Sequence, residues 1–179
     1  AQDRFDTWWL QIHSSIVEPL RARIDAEGAG YRQLCEIGCG SGLVLEDLAK
    51  RLPQLETLIG LDLSPKQTEQ NRQRKVDPRI RFEAGDASQW IPQHVQPGTV
   101  FMTVAGVFEY FSRESLQTLF ATIARTCAPA IVAVIEPMPK GYDFERETAS
   151  RPYGPEHSLG HHYPLLLREA GFTIVHQQL

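Results

Sequence analysis

The chain has 179 residues, 42% of them hydrophobic and 22% charged, with a net charge of −4. These proportions describe one folded domain with a sizeable core and exclude a disordered or fibrous chain. The acidic balance argues against a nucleic-acid surface, no apolar run is long enough to cross a bilayer, and no leader pattern is visible at Ala1. Three cysteines, Cys35, Cys39 and Cys127, show no paired spacing for zinc and suit a reducing compartment, so the expected setting is the cytoplasm, with no metal.

Taken in order, apolar residues Phe5, Trp8, Trp9, Ile12, Ile16, Val17, Leu20 and Ile24 recur at helical spacing, interrupted near Pro19, and Glu27-Gly28-Ala29-Gly30 reads as a stop. Strands and helices then alternate. A strand over 34–37 leads to a helix over 43–52, closed by Pro53. A strand over 57–63 follows, then a polar helix from the cap Ser64-Pro65 to Lys75. Strands over 80–84, 99–105 and 130–135 alternate with a short helical turn near Trp90 and a helix over 113–127. Residues 137–160, with four prolines, read as an excursion. A helix over 163–170 and a final strand over 172–178 complete the chain.

Repeated strand–helix units imply an α/β fold: a Rossmann-like, doubly wound, mostly parallel sheet with helices on both faces, here with an N-terminal lid helix. Residues 1–179 are expected to form a single domain, with 1–30 as the lid and 137–160 on the acceptor side. In such sheets ligands bind outside the carboxyl ends of the strands at the switch point. Gly38, Gly40, Gly42, Asp62, Asp86, Glu109 and Glu136 all fall at or just beyond strand ends and should share one crevice.

The chemistry starts at Glu36-Ile37-Gly38-Cys39-Gly40-Ser41-Gly42, where a strand runs into three glycines at alternate positions and a helix begins. Glycines permit a sharp turn and close approach of a ligand to backbone N–H groups, and the helix start favours an anionic or polar ligand. The spacing is G-x-G-x-G. Leu43 stands where the dinucleotide fingerprint has its third glycine, which argues against an NAD-dependent dehydrogenase. Asp62, 24 residues after Gly38, is placed to accept from both hydroxyls of a ribose. Asp86 suits an exocyclic amino group, the Ala87 N–H faces a ring nitrogen, and Leu61, Leu63 and Ala87 can sandwich an adenine.

With these motifs in this order, residues 33–178 resemble the class I S-adenosylmethionine-dependent methyltransferases. Glu36 to Gly42 resembles the first motif, Gly60-Leu61-Asp62-Leu63-Ser64 the ribose acid and Gly85-Asp86-Ala87 the adenine edge. Val104-Ala105-Gly106-Val107-Phe108-Glu109-Tyr110 resembles the segment near the methionine moiety, and Leu167 to Phe172 the turn into a late strand. The resemblance implies S-adenosylmethionine as cofactor, S-adenosylhomocysteine as product, and Glu36, Gly38, Cys39, Gly40, Gly42, Asp62, Leu63, Asp86, Ala87 and Val104 as its binding residues. The family's seventh, antiparallel strand has no counterpart before Leu179.

Methyl transfer from a sulfonium needs alignment and exclusion of water, plus a base where the acceptor is a hydroxyl. His161 and His162, before the last helix, and Glu109 are the candidates for that role, Glu109 also as a ligand for an amine. Trp8 and Trp9 are candidates for an aromatic lid and Glu136 for the pocket wall. The function expected is methyl transfer to the oxygen or nitrogen of a small molecule, without membrane or nucleic-acid partner; neither the acceptor nor the oligomeric state is legible. A non-catalytic cofactor-binding scaffold and a methyltransferase of a macromolecular acceptor are the alternatives. The Asn-Pro-Pro-Tyr type tetrad of DNA and glutamine amino-group modifiers is replaced here by Val104-Ala105-Gly106-Val107.

Overall fold

A computed structural model describes residues 2–26, 30–74 and 76–178, with side chains in the first helix at Trp8, Trp9 and from Ser15 onward. Most of the expected stop at Glu27-Gly28-Ala29-Gly30 lies outside these residues. The chain begins with α1 (Gln2–Ala26) and then alternates: β1 (Gln33–Ile37), α2 (Leu43–Arg51), β2 (Thr57–Asp62), α3 (Pro65–Arg72), β3 (Ile80–Ala84), α4 (Ala87–His94) and β4 (Thr99–Val104). A 3-10 turn at Phe108–Tyr110 precedes α5 (Arg113–Thr126), β5 (Ala130–Ile135), the short strands β6 (Arg151–Tyr153) and β7 (Ser158–Gly160), and α6 (Tyr163–Glu169).

Strands β1 to β5 form one parallel sheet in the order β3-β2-β1-β4-β5. The order reverses between β1 and β4, so a crevice opens at their carboxyl ends. Side-chain alternation splits the core into two layers. Leu34, Leu58, Phe82, Val100 and Met102 pack with α1 and α2 on one face; Cys35, Ile59, Leu61 and Phe101 pack with α4, α5 and α6 on the other. Both faces are covered, which is why these strands read as continuous apolar runs. Local signals hold the helix starts: Ser64, Asp86 and Ser112 each accept a backbone N–H as caps of α3, α4 and α5.

Two expectations need correction. The excursion over 137–160 contains a hairpin, β6 pairing antiparallel with β7 from Arg151↔Gly160 to Tyr153↔Ser158. The expected strand over 172–178 is absent. Its alternation is real, since Phe172 and Ile174 pack partly against the α5–α6 layer while Val175 is exposed, but the segment joins no ladder. It runs along a groove of about 650 Å³ that β5 lines together with α1 and α6, so among the described residues β5 keeps an open hydrogen-bonding edge.

Candidate functional site

The glycine loop is built so that its glycines cannot be exchanged. Gly38 sits at φ +73°, and a Cβ there would lie 2.5 Å from Val107 Cγ2; Gly42 sits at φ +77°, where a Cβ would lie 2.5 Å from the Phe82 ring. The loop is pinned by its own backbone and by its neighbours. Gly38 and Cys39 N–H both donate to the Leu61 carbonyl, at 2.7 and 3.1 Å. Asn71 Nδ2 donates to Gly40 O at 2.7 Å, and the Arg74 guanidinium donates to Ser41 O. Nothing in the polar pattern of α3 and the residues just after it marks Asn71 or Arg74 for this task, and sequence reasoning missed both.

Asp62 closes β2 directly under the loop. Its Oδ2 accepts from Gly40 N–H and its Oδ1 from Ser64 N–H, each at 2.9 Å. Each oxygen keeps a further lone pair, so the carboxylate is fixed in place and still has capacity for two outside donors. Leu63, next in sequence, is 71% exposed, an apolar face laid open beside the acid. Asp86 accepts from Ser88 N–H at 2.8 Å through Oδ1 as cap of α4, and Ala87 is buried behind it.

Glu36 is the anomaly of the crevice. It is 2% exposed, and its Oε2 has no hydrogen-bond partner among the described residues. Burial first, and the Asp62 charge second, raise its pKa well above the usual carboxylate range. A buried carboxylate oxygen without a donor is costly, so the position calls for a cationic or donor ligand. Glu36, Gly38, Cys39, Gly40, Ser41, Val104 and Ala105 line one cleft of about 180 Å³. Cys39 is not its reactive group, because burial and then the Glu36 and Asp62 charges push the thiol up. The structure thus brings Glu36, Gly38, Cys39, Gly40 and Val104 to one cleft, ties Asp62 to its Gly40 wall, and places Leu63, Asp86 and Ala87 at the ends of β2 and β3.

Beyond β4, Glu136 organises the loop that forms the far wall. Its carboxylate accepts from Thr103 Oγ1 at 2.8 Å and from the N–H groups of Gly106, Val107 and Phe108 at 3.0–3.3 Å. Burial raises its pKa and those hydrogen bonds oppose the rise. Glu109 is buried next to this loop and accepts from Tyr153 Oη, a residue of the hairpin that carried no signal in the sequence.

Both histidines have their ring nitrogens engaged within the protein. His161 is fully buried; Ser150 Oγ donates to its Nδ1 at 2.7 Å and its Nε2–H donates to Phe111 O at 3.1 Å. His162 caps α6, accepting Leu165 N–H at Nδ1 and donating from Nε2 to Phe144 O, each at 3.0 Å. Neither keeps a free ring nitrogen in this arrangement, and both anchor the excursion. Trp9 is also tied down: its indole N–H donates to Asp47 Oδ2 on α2 at 3.1 Å. Among the described residues no group of three or more histidine, cysteine or acidic side chains is arranged to hold a metal, and no helix is long and apolar enough to cross a membrane.

A family model described as a methyltransferase domain matches residues 34–130. Among curated proteins, the chain is 31% identical over 125 residues to a trans-aconitate 2-methyltransferase of Acidovorax sp. strain JS42, covering 67% of this chain and 45% of that one. The chain spans less than half the length of the curated relatives it matches. Human N-acetylserotonin methyltransferase in complex with SAM superposes with a TM-score of 0.64 at 20% identity, covering 92% of this chain and 47% of that one. CalS10, an amino pentose methyltransferase from Micromonospora echinaspora, superposes with a TM-score of 0.54 at 21% identity, over 76% and 55% of the two chains. Those two likenesses establish the fold, a five-stranded parallel Rossmann-like sheet. With the family model covering the glycine loop, β1 to β4 and the crevice between them, the chain belongs to the methyltransferase-domain family.

Proposed function

We propose that this protein transfers a methyl group from S-adenosylmethionine to a small-molecule acceptor, as the names of its curated relatives describe for them. The observation that carries the reading is the buried, donorless Oε2 of Glu36 at the head of the glycine cleft, with Asp62 fixed 2.9 Å from Gly40 N–H and a bare Leu63 beside it. These residues fit the cofactor group by group. Glu36 meets the ammonium of its amino-acid end, Asp62 the ribose hydroxyls, Leu63 one face of the adenine, and Asp86 and Ala87 the edge of the base. Val104 and the backbone of Gly38, Cys39 and Gly40 line the passage between them, and Gly42, whose N–H donates to Cys39 O at 2.8 Å, closes the turn behind it.

The bound cofactor supplies an electrophilic methyl group on a good leaving group, so the protein's part is alignment and exclusion of water. The loop fixed by Glu136 sets the wall that an acceptor meets after Ala105. Glu109, with Tyr153 bound to it, is the polar group of that wall, and His161 and His162 hold the excursion closed over it. Equilibrium dialysis with labelled S-adenosylmethionine tests the reading. Wild-type protein is expected to retain the label and Asp62→Ala to lose at least about tenfold in affinity, since about 1.4 kcal/mol corresponds to that factor. Equal retention by both proteins, or none by either, contradicts it.

A further inference from the structure

A side chain continues the β4–β5 ladder past its end. The last paired residues are Val104 and Ile135, and one further backbone bond runs from Ala105 N–H to Ile135 O at 2.7 Å. Glu136, the next residue after β5, then takes the N–H groups of Gly106, Val107 and Phe108 at 3.0–3.3 Å, with Thr103 Oγ1 at 2.8 Å. The consecutive N–H groups of residues 105–108 are all held from the end of β5. The path they hold is not one the chain takes freely: Ala105 sits at φ +49° and Gly106 at φ +89°. Left-handed backbone is unfavourable for an alanine and persists only where its surroundings impose it.

The same turn borders the glycine cleft. Val104 and Ala105 line it together with Glu36 and Gly38. Val107 meets the glycine loop directly. A Cβ at Gly38 would lie 2.5 Å from Val107 Cγ2 and 2.9 Å from Val107 Cγ1, so these methyls fill the space that a side chain there would need. Glu136 itself lines the groove beside β5 and not the cleft. It reaches the cleft along two short routes, through the backbone of Ala105 and Gly106 and through Val107 onto Gly38. The nucleoside end of the crevice is held separately. Asp62 accepts from Gly40 and Ser64, and Asp86 from Ser88, and none of these bonds involves Glu136 or residues 104–108.

Resting on the methyltransferase reading above, we propose that Glu136 is a positioning residue for the amino-acid end of the cofactor, acting through the turn 105–108 and the contact of Val107 with Gly38. It touches no part of the cofactor. It fixes the two walls, Ala105 and Gly38, that enclose that end beside Glu36. Glu136→Gln keeps the size of the side chain and turns one acceptor oxygen into a donor. Gly106 N–H is held by Oε2 alone and Phe108 N–H by Oε1 alone, so either orientation of the carboxamide leaves one of them facing another N–H.

The test compares two ligands by isothermal titration calorimetry: S-adenosylhomocysteine, which carries the amino-acid end, and 5′-methylthioadenosine, which lacks it. Glu136→Gln is expected to weaken S-adenosylhomocysteine at least about fivefold, a size that coupling through a packed network reaches, and 5′-methylthioadenosine less than about twofold. Val107→Ala removes the methyls from Gly38 and leaves the backbone N–H groups that Glu136 collects in place. It is expected to show the same selectivity with a loss of about threefold for S-adenosylhomocysteine. A general loosening of the fold would weaken both ligands together, so the ratio of the two affinities is the readout. A wild-type ratio in folded Glu136→Gln, or in Val107→Ala, overturns the proposal; if Glu136→Gln does not fold, Val107→Ala alone decides. Wild-type protein that fails to bind S-adenosylhomocysteine overturns the underlying reading instead.

Discussion

His161 shows how a residue's surroundings decide its role. Both ring nitrogens are occupied in the neutral form, by the Ser150 hydroxyl and the Phe111 carbonyl, and burial, the largest influence, lowers its pKa below 6.5. The unfolded chain therefore binds the proton more readily than the folded one below the ordinary value. Its contribution to stability is complete above about pH 6.5 and is lost as pH falls from there through the lowered folded-state value. Urea midpoints between pH 5 and 8 are expected to drop at the acid end, and His161→Gln to flatten that drop; an unchanged slope contradicts the assignment. From sequence, a pair of histidines before a helix was legible as a base, because residue type suggested chemistry and the partners were 11 and 50 residues away. Asp62 was legible for the opposite reason: its partners Gly40 and Ser64 belong to the same two motifs that single it out.

Among the elements, the loop between β1 and α2 was legible almost completely, since its glycines serve backbone geometry that sequence displays. Gly42→Ala is expected to cost about 1–2 kcal/mol for the left-handed backbone alone, and more because its Cβ meets the Phe82 ring at 2.5 Å. Chemical denaturation would show this as a lowered midpoint; a wild-type midpoint would show that the loop relaxes freely. The loop after β4 was less legible. Its anchor, Glu136, was visible only as an acid at a strand end, while the N–H donors it collects come from residues with apolar side chains. Glu136→Gln leaves one acceptor oxygen for four donors, so a loss of about 1–3 kcal/mol is expected, measured by the same denaturation. Full wild-type stability would remove Glu136 as the organiser of that wall. The strand expected over 172–178 failed at this scale too: alternation reports which face is buried, and only a neighbouring strand makes a ladder.

Across the whole molecule, the parallel sheet followed from the alternation of strand and helix, and the position of the crevice followed from the sheet. Apolar periodicity, caps and right-handed crossovers all point one way, so local and global signals agree over β1 to β5. The acceptor side was not legible, because the hairpin residues Tyr153 and Glu156 reach Glu109 and Tyr110 across 44 and 46 residues of chain. The most direct measurement of the central claim, that the crevice between β1 and β4 holds S-adenosylmethionine, is thermal unfolding with S-adenosylhomocysteine and with NAD in parallel. At a hundredfold excess over Kd, binding to the folded state alone contributes about 2.7 kcal/mol, or roughly 5–10 °C for a domain of this size. The account predicts that rise with S-adenosylhomocysteine, its loss in Asp62→Ala, and no rise with NAD. A midpoint unmoved by S-adenosylhomocysteine, or moved equally by NAD, would contradict it.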